Sequence, residues 1–375
     1  MENNRIHLDT EAALSPQPPA LCDKPCHATG MQARLYPQVF LAAFACVLLA
    51  LVLCYQNLPQ GLHNFSPRRH RQPDPVTVLI WWQPFGNKST IVDCERRYDI
   101  RHCTLTTDRD LYLQADAVII HHREIQGNLS RLPQRHRPST QKWIWMNFES
   151  PTHTSGLEEL EGIFNWTMSY KVGSDMFMPY GYLYPKNPSS GSSQILLPKK
   201  KRLVAWVISN WNMDHARVRF YAQLRRYIPI DVYGRDAMAL ENNSIVQTVS
   251  QYKFYLAFEN SQHTDYITEK LWANAFGSSA VPVVLGPPRE NYERFVPPDS
   301  FIHVDDFYSP RMLASYLRFL DQNPRLYRRY LAWKKNYNVH VTSFWSEQYC
   351  AVCNAVRAAR YQTKRVSDLA LWFES

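Results

Sequence analysis

Seven short apolar runs, rich in β-branched and aromatic residues, recur along the chain between helical and polar segments. The runs are too short for capped helices, so each predicts a buried strand. Their sequences are VTVLIWW, DAVIIHH, KWIWMNF, LVAWVISN, IDVYG, KFYLAFEN and VPVVLG. The intervening pattern predicts helices in DHARVRFYAQLRRY and TEKLWANAF. Because strands alternate with helices, we expect an α/β fold with parallel sheets in two successive units.

Two polar, proline-rich intervals divide the chain. Residues 56–75 are basic and lack hydrophobic periodicity, which predicts an extended stem, and residues 184–201 predict a linker. The domains that these intervals delimit are expected at residues 76–183 and 202–375.

A charge-free apolar run precedes the stem. Residues 39–55, VFLAAFACVLLALVLCY, number 17, which is close to the lower limit for a membrane span. The run begins too late for a cleaved signal peptide, so we expect an uncleaved signal anchor behind a cytoplasmic tail of residues 1–38. A buried core helix is the alternative, but the run has no polar face. Arginines in the stem outnumber the basic residues just before the run, so charge alone does not fix the orientation.

Five N-x-S/T sequons follow this run and none precedes it. Their one-sided placement favours a lumenal C-terminal portion carrying N-linked glycans. The five positions are Asn64, Asn87, Asn128, Asn165 and Asn242.

Four cysteines lie beyond the stem, as an early pair and a late pair. In an oxidising lumen we expect disulfides, although four thiols at such spacings also suit a structural zinc ion. The spacing leaves all three pairings open. The residues are Cys94, Cys103, Cys350 and Cys353.

The formal charge of +9 and the pI near 9.1 suit nucleic acid, an anionic membrane or a negatively charged substrate. No nucleic-acid-binding motif accompanies the charge, so we expect no nucleic acid partner. The sequence also lacks G-x-x-x-x-G-K-[ST] and G-x-G-x-x-G, the phosphate-binding fingerprints of P-loop and simple dinucleotide-binding proteins. The aromatic share of 13% suits ring-lined sugar sites, but filled cores are the commoner explanation.

Polar clusters follow four of the predicted strands, where parallel sheets bind ligands. Glu149 follows the aromatic strand KWIWM and is our candidate for a general base, with a helix cap or an ion pair as the alternative. His121 and His122 also follow a strand, but adjacent residues of an extended segment point to opposite faces. We therefore do not expect them to bind one metal ion.

The string DRD, Asp108 to Asp110, has the form of a metal-binding carboxylate pair. It precedes a helical segment, so we expect an N-cap and first turn instead. Without a metal, a departing diphosphate must be neutralised by cations, and Arg217 and Lys270 are placed for that role.

The stretch FENSQHTDYITEKLW places charged residues around a helix start. A helix beginning near Ile267 would direct unpaired N–H groups toward Asp265 and Asn260, a suitable seat for an anion. Lys270 reinforces that seat, whereas Glu269 does not suit a bare phosphate. Together they predict a ligand with both phosphates and hydroxyl groups.

Several of these motifs together resemble the animal α-1,3-fucosyltransferases, Golgi enzymes that transfer fucose from GDP-fucose. The resemblance extends from about Val76 to the C-terminus and is strongest with the myeloid, Lewis x-forming type. The motifs are WIWMNFESPTH, FNWTMSY, PYGYLYP, VAWVISNWN, FENSQHTDYITEKLW and VPVVLGPPRENYERFVP, with YKFYLAFENSQH, ASYLRFLDQNP and HVTSFW for the type.

The resemblance implies a GT-B architecture, in which two Rossmann-like domains face each other across a cleft. The first would bind the acceptor and the second GDP-fucose. Glu149 would be the catalytic base, and Arg123 would discriminate between acceptors, with Asn87 as a second candidate. The implied disulfides are Cys94–Cys350 and Cys103–Cys353. The implied donor-binding residues are Tyr180, Ser209, Asn210, Arg217, Tyr255, Asn260, Tyr266, Glu269 and Lys270.

The implied reaction is an inverting single displacement onto O3 of GlcNAc in N-acetyllactosamine chains of glycoproteins and glycolipids. No cofactor is obligatory, and Mn²⁺ at most stimulates. The resemblance also implies a single-pass type II protein of the Golgi membrane, and it leaves a homodimer open. One departure is that the family's SYRRDSD reads SYKVGSD, with Val172 and Gly173 replacing charged residues. The rival functions are an inverting transferase for another nucleotide sugar and a catalytically silent Golgi lectin.

Overall fold

A computed structural model describes residues 74–86, 91–187 and 200–375. The predicted tail, membrane anchor and nearly all of the stem lie outside these residues. No helix in the described ranges is long and apolar enough to cross a membrane.

The described elements are mostly short strands and helices. The strands are β1 Val76–Ile80, β2 Cys103–Thr106, β3 Ala117–His121, β4 Lys142–Met146, β5 Trp166–Ser169, β6 Met176–Phe177, β7 Gly181–Pro185, β8 Arg202–Ile208, β9 Asp231–Gly234, β10 Tyr252–Phe258, β11 Val281–Leu285, β12 Ile302–His303 and β13 Tyr337–Val341. The helices are α1 Cys94–Tyr98, α2 His122–Ile125, α3 Ala216–Leu224, α4 Ile245–Ser250, α5 Arg289–Glu293, α6 Pro310–Gln322, α7 Pro324–Arg329, α8 Ser346–Ala359, α9 Leu369–Glu374 and a π-helix, Lys270–Phe276.

Two parallel sheets organise these elements, as the alternating pattern predicts. The first has the order β2-β1-β3-β4-β5-β6 and the second β12-β11-β10-β8-β9. In each sheet the chain order reverses beside the first strand, between β1 and β3 and between β8 and β10. Strands β3, β4 and β11 are buried at every position, which explains their continuous apolar runs.

All seven predicted strands are present, whereas the sequence analysis missed six others. Strands β6 and β12 have two residues each, too few to form a pattern. Strand β5, WTMS, is buried throughout, but its Thr and Ser interrupt the apolar run by which a buried strand is predicted. The remaining three are the partly exposed β2, β7 and β13.

Strands β7 and β13 form a separate antiparallel ribbon that crosses the predicted linker boundary. Leu183 of β7 pairs with Val339 of β13, and both side chains pack against the core of the second sheet. Strand β7 therefore continues to Pro185, past the expected domain end at residue 183, and its apolar side belongs to the second core.

The C-terminal segment returns to the first sheet. Helix α8 packs beside β1, and its Val352 and Val356 are buried in the first core, as is Phe373 of α9. The predicted C-terminal domain, residues 202–375, therefore includes a segment that completes the N-terminal core. Disulfides Cys94–Cys350 and Cys103–Cys353 attach α8 there, and they confirm the preferred pairing.

His122 begins α2 as a buried, neutral imidazole. Its Nδ1 accepts from the indole N–H of Trp145 at 3.1 Å, so its Nε2–H donates to the carbonyl of Ser155, also at 3.1 Å. Burial lowers the pKa of His122 to about 4, since the hydrogen bond to Ser155 only partly offsets desolvation.

We expect this histidine to make the protein sensitive to acid. Between about pH 6.5 and pH 4 the unfolded chain binds the proton that the folded protein rejects, so stability falls as pH falls. The free energy of unfolding should drop by up to about 3 kcal/mol across this window. Denaturant titrations at pH 7 and pH 5 should show a smaller loss for His122→Gln than for wild type. Equal losses in the two proteins would contradict this assignment.

Candidate active site

Both sheets place polar residues at the carboxyl ends of strands where the chain order reverses. Ligands of open parallel sheets bind at such positions. In the first sheet Arg123 follows β3, and Glu149 follows the neighbouring strand β4. In the second sheet Asn210 follows β8 and Asn260 follows β10.

The loops at these two edges are hydrogen-bonded to each other. The hydroxyl of Ser261 donates to that of Ser150 at 2.6 Å, and both residues are buried. Nearby, Thr152 Oγ1 and His263 Nε2 lie 2.6 Å apart. These contacts bring Glu149, beside Ser150, to the loop that carries Asn260.

A third contact includes the departure from the family's SYRRDSD motif. The backbone N–H of Val172 donates to the carboxylate of Asp265 at 2.9 Å, so the bond does not depend on the side chain at 172. Gly173 has φ +94°, and a Cβ there would lie 3.5 Å from the indole of Trp372. The substituted motif thus still joins the first sheet to the donor-side loop.

Glu149 has a fixed backbone and a free carboxylate. Its N–H donates to Asn147 Oδ1 at 3.2 Å, and the hydroxyl of Tyr180 donates to the carbonyl of Phe148 at 2.6 Å. The Phe344 ring packs edge-on against Phe148, 5.0 Å between centroids. Within the described ranges the Glu149 carboxylate has no hydrogen-bond or ion-pair partner, so it neither caps a helix nor pairs with an arginine. It is available to accept a proton.

Arg217 supplies a buried cation at the carboxyl end of β8. It is 5% exposed, and one Nη donates to the carbonyl of Asn210 at 2.8 Å. Its Nε is buried and has no partner among the described atoms. Burial lowers the pKa of Arg217, although the carboxylates of Glu259 and Glu269 oppose the shift. Ser209 and Asn210 are exposed beside it. An unpaired buried guanidinium N–H is a suitable donor to a phosphate oxygen.

Lys270 lies between two carboxylates. Its ammonium is 3.0 Å from Glu259, 3.0 Å from Glu269 and 2.8 Å from the hydroxyl of Thr268. Burial alone would lower the pKa of Lys270, but the two carboxylates outweigh it and raise the pKa. Burial raises the pKa of Glu259, whereas for Glu269 the neighbouring ammonium outweighs burial and lowers the pKa.

The predicted anion seat at a helix start near Ile267 is wrong. The helix begins at Lys270, and the N–H of Ile267 donates to the carbonyl of Asp265 at 2.9 Å. The N–H of Thr268 donates to the Glu259 carboxylate at 2.8 Å. These two amides are already bonded within the protein, so they are not available to an anion.

Glu259 contacts Lys270 but is not among the candidates that the sequence analysis named. It follows β10 directly and precedes Asn260, so its position at the strand end was the available signal. A hydrophobicity pattern does not reveal that this carboxylate is only 1% exposed.

The three candidate tyrosines occupy different environments. Tyr255 is 0% exposed, in the middle of β10, and its hydroxyl accepts from Asn274 at 3.2 Å. The ring belongs to the core, but the hydroxyl interacts electrostatically with Lys270, Glu269 and Glu259, so the assignment of Tyr255 to donor binding stays a prediction. Tyr266 is also buried but packs 5.1 Å from Tyr170 and 6.5 Å from the half-buried Tyr180. Tyr180 and Tyr266 thus line the junction between the two sheets.

Arg123 is exposed after β3, and its guanidinium lies 5.0 Å from the centre of the Phe85 ring. The Phe85 N–H donates to Glu124 at 2.8 Å, and Glu124 also binds His121. Since no hydrogen bond holds the guanidinium within the described residues, Arg123 is free to bind a ligand. Asn87, the second acceptor candidate, lies outside them.

Within the described ranges no group of three or more His, Cys, Asp or Glu side chains could hold a metal ion. Asp108 is the N-cap of a 3₁₀ turn, Arg109–Leu113, and accepts from the N–H of Asp110 at 3.0 Å. The capping interpretation of DRD is thereby confirmed.

Three of the five sequons can be located. Asn128 and Asn242 are exposed. Asn165 is half-buried, accepts from the N–H of Trp143 at 2.8 Å and donates to the carbonyl of Lys364 at 2.9 Å, so its amide is part of the fold. Asn64 and Asn87 lie outside the described residues.

Comparison with known proteins gives a consistent result along the chain. Residues 73–181 match the family model described as fucosyltransferase, N-terminal. Residues 197–372 match that of glycosyltransferase family 10 (fucosyltransferase), C-term.

Curated relatives are similar over most of their length. Alpha-(1,3)-fucosyltransferase 4 of Bos taurus is 47% identical, with 90% of this chain and 96% of that protein covered. The Homo sapiens protein of that name is 46% identical over 89% of this chain and 70% of its own length. The 4-galactosyl-N-acetylglucosaminide 3-alpha-L-fucosyltransferase 9 of Rattus norvegicus is 46% identical over 83% of this chain and 86% of its own length.

A solved structure described as alpha1,3-fucosyltransferase with GDP-fucose shares the fold. Its TM-score is 0.52 at 18% identity, and the match covers 80% of this chain and 94% of that one. The family models over both parts of the chain and the identity to these relatives establish that the protein belongs to glycosyltransferase family 10, the fucosyltransferases.

Proposed function

We propose that the protein transfers L-fucose from GDP-fucose to O3 of GlcNAc in type 2 glycans, Galβ1,4GlcNAc, making Lewis x and sialyl Lewis x structures. The observation that carries the proposal is the unpaired carboxylate of Glu149, held beside a loop whose neighbourhood contains Arg217 and Lys270. The relatives' names and the GDP-fucose in the related structure support the same substrates.

The reaction is a single displacement. Glu149 takes the proton of the acceptor hydroxyl as its oxygen bonds to the anomeric carbon of fucose. The bond from that carbon to the β-phosphate oxygen breaks, and GDP leaves with the electron pair. Arg217 and Lys270 balance the negative charge that develops on the diphosphate.

The anomeric configuration inverts in this reaction. A retaining enzyme would need a nucleophilic carboxylate close to the general acid, about 5 Å away. Glu259 and Glu269 both lie beside Lys270, and neither acts as a nucleophile in this proposal. A lone general base, Glu149, is what an inverting single displacement requires.

The two sheets have the roles expected of a GT-B enzyme in this proposal. Arg123 and the exposed Phe85 bind the acceptor on the first sheet, and the residues after β8 and β10 bind GDP-fucose on the second. In this proposal catalysis requires no metal, because Arg217 and Lys270 supply the positive charge that a divalent ion would otherwise contribute.

We propose a single-pass type II protein of the Golgi membrane, anchored by residues 39–55. Support comes from the length of that apolar run and from sequons confined to its C-terminal side. Its partners would be glycoprotein and glycolipid acceptors at the lumenal face. A catalytically silent lectin on the same scaffold is disfavoured because Glu149, Arg217 and Lys270 are all retained.

Turnover of GDP-fucose with N-acetyllactosamine tests the proposed activity. Glu149→Gln should lower kcat by roughly 10²- to 10⁴-fold, the usual contribution of a general base, while GDP binding measured by calorimetry persists. Glu159→Gln, which changes an exposed carboxylate in the 3₁₀ turn Glu158–Leu160, should leave kcat unaltered. Assays in chelator should retain activity.

Three outcomes would count against this account. Wild-type turnover in Glu149→Gln removes Glu149 from the mechanism, and loss of all activity in chelator with recovery in Mn²⁺ removes the metal-free route. Sugar binding without turnover favours the lectin.

Arg123→Trp should shift acceptor choice toward type 1 chains, Galβ1,3GlcNAc. The guanidinium offers directed hydrogen bonds to hydroxyl groups and so favours one orientation of the acceptor. An indole offers a flat stacking surface, on which the acceptor can also bind in the reversed orientation. The ratio of kcat/KM for type 2 and type 1 acceptors measures the change directly. Arg123→Lys, which keeps the charge, should have a ratio closer to that of the wild type. An unchanged ratio in Arg123→Trp would mean that other residues orient the acceptor.

The proposed type II topology predicts that the membrane protects the catalytic portion from added protease. In sealed microsomes the full chain should shift in mobility after glycosidase treatment and resist added protease beyond the anchor. An unglycosylated and protease-accessible C-terminal portion would contradict the type II arrangement.

A further inference from the structure

Three oxygens surround the ammonium of Lys270 at 2.8–3.0 Å. Thr268 Oγ1 and Glu269 Oε1 accept its hydrogen bonds, and Glu259 Oε2 forms an ion pair with it. A diphosphate can therefore accept a hydrogen bond from Lys270 only if one of these partners leaves.

The two carboxylates are held very differently. The Glu259 side chain is 1% exposed and accepts both the N–H and the hydroxyl of Thr268, at 2.8 and 2.9 Å. Its backbone N–H donates to the carbonyl of Leu285 at 2.7 Å. The Glu269 side chain is 50% exposed and meets Lys270 from the solvent side.

Close packing fixes Glu259 further. A Cβ at Gly286 would lie 3.2 Å from Glu259 Cγ and 2.4 Å from the Tyr292 hydroxyl, so only glycine leaves room for the carboxylate here. Glu259 cannot move aside without disturbing β10, β11 and the Thr268 turn.

We propose that the donor diphosphate displaces Glu269 from Lys270, while Glu259 remains as a positioning residue that holds the ammonium in place. The inference rests on the proposed function and adds a residue and an exchange step to it. Releasing Glu269, whose carboxylate is half exposed to solvent, costs less than losing the buried Glu259, which would leave the ammonium without its anchor. The released Glu269 can then accept hydrogen bonds from sugar hydroxyls.

The exchange predicts effects of opposite sign for two matched substitutions. Glu259→Gln keeps an oxygen for the Thr268 N–H but removes the anchoring charge, so Lys270 turns toward Glu269 and GDP affinity falls roughly tenfold or more. Glu269→Gln removes the competitor for Lys270, so GDP binds at least as tightly as in wild type, while kcat/KM for GDP-fucose falls.

Calorimetry on the full chain with GDP and with guanosine separates positioning from a general structural defect. Guanosine has no phosphate, so its affinity should be unchanged in Glu259→Gln, as should the KM for the acceptor. Glu259→Asp, which keeps the charge on a shorter side chain, should recover part of the GDP affinity.

Each contrary outcome has a distinct meaning. If wild type binds no GDP, the proposed function fails. If wild type binds GDP and Glu259→Gln binds it equally well, or loses GDP and guanosine alike, Glu259 is not a positioning residue. Weaker GDP binding by Glu269→Gln would overturn the exchange.

Discussion

The hydrogen bond between Ser150 and Ser261, 2.6 Å long and buried, joins the carboxyl edges of two parallel sheets. Each sheet alone offers half of a site, a base after β4 in one and cations after β8 and β10 in the other. The bond brings the halves together, because Glu149 is adjacent to Ser150 and Asn260 to Ser261. Glu149 can itself stay unpaired since Phe148, Ser150 and Asn147 hold its loop.

Charge in the donor half is arranged around buried groups. Arg217 and Lys270 are costly cations to bury, and the carboxylates of Glu259 and Glu269 offset that cost before any ligand binds. A diphosphate then enters a site whose cations are already positioned. When the ligand binds, the only rearrangement that the site needs is the exchange of one half-exposed carboxylate, Glu269, for a phosphate.

Much of this arrangement could be predicted from the sequence. Continuous apolar runs identify β3, β4 and β11 because strands buried on both faces have no polar alternation. Glu149 and Asn260 follow from their positions at strand ends. The disulfide pairing came from the family resemblance, since cysteine spacing alone leaves three choices.

The remaining features depend on tertiary contacts that a local pattern does not contain. Helix α8 completes the first core because its valines meet β1; Cys353 of α8 and Val76 of β1 are 277 positions apart in the chain. The motif that contains Tyr255 does not reveal that its ring lies within β10 and is fully buried. Glu259 and Glu269 are both glutamates near one lysine, and only burial distinguishes the anchor from the exchangeable partner.

A crystal structure with GDP-fucose bound is the most direct test of the central claim, that two sheet edges combine into one inverting site. We predict the diphosphate near Arg217 and Lys270, and the anomeric carbon facing the Glu149 carboxylate on the side opposite GDP. A donor bound away from the ends of β8 and β10, or one whose anomeric carbon faces away from Glu149, would contradict the account.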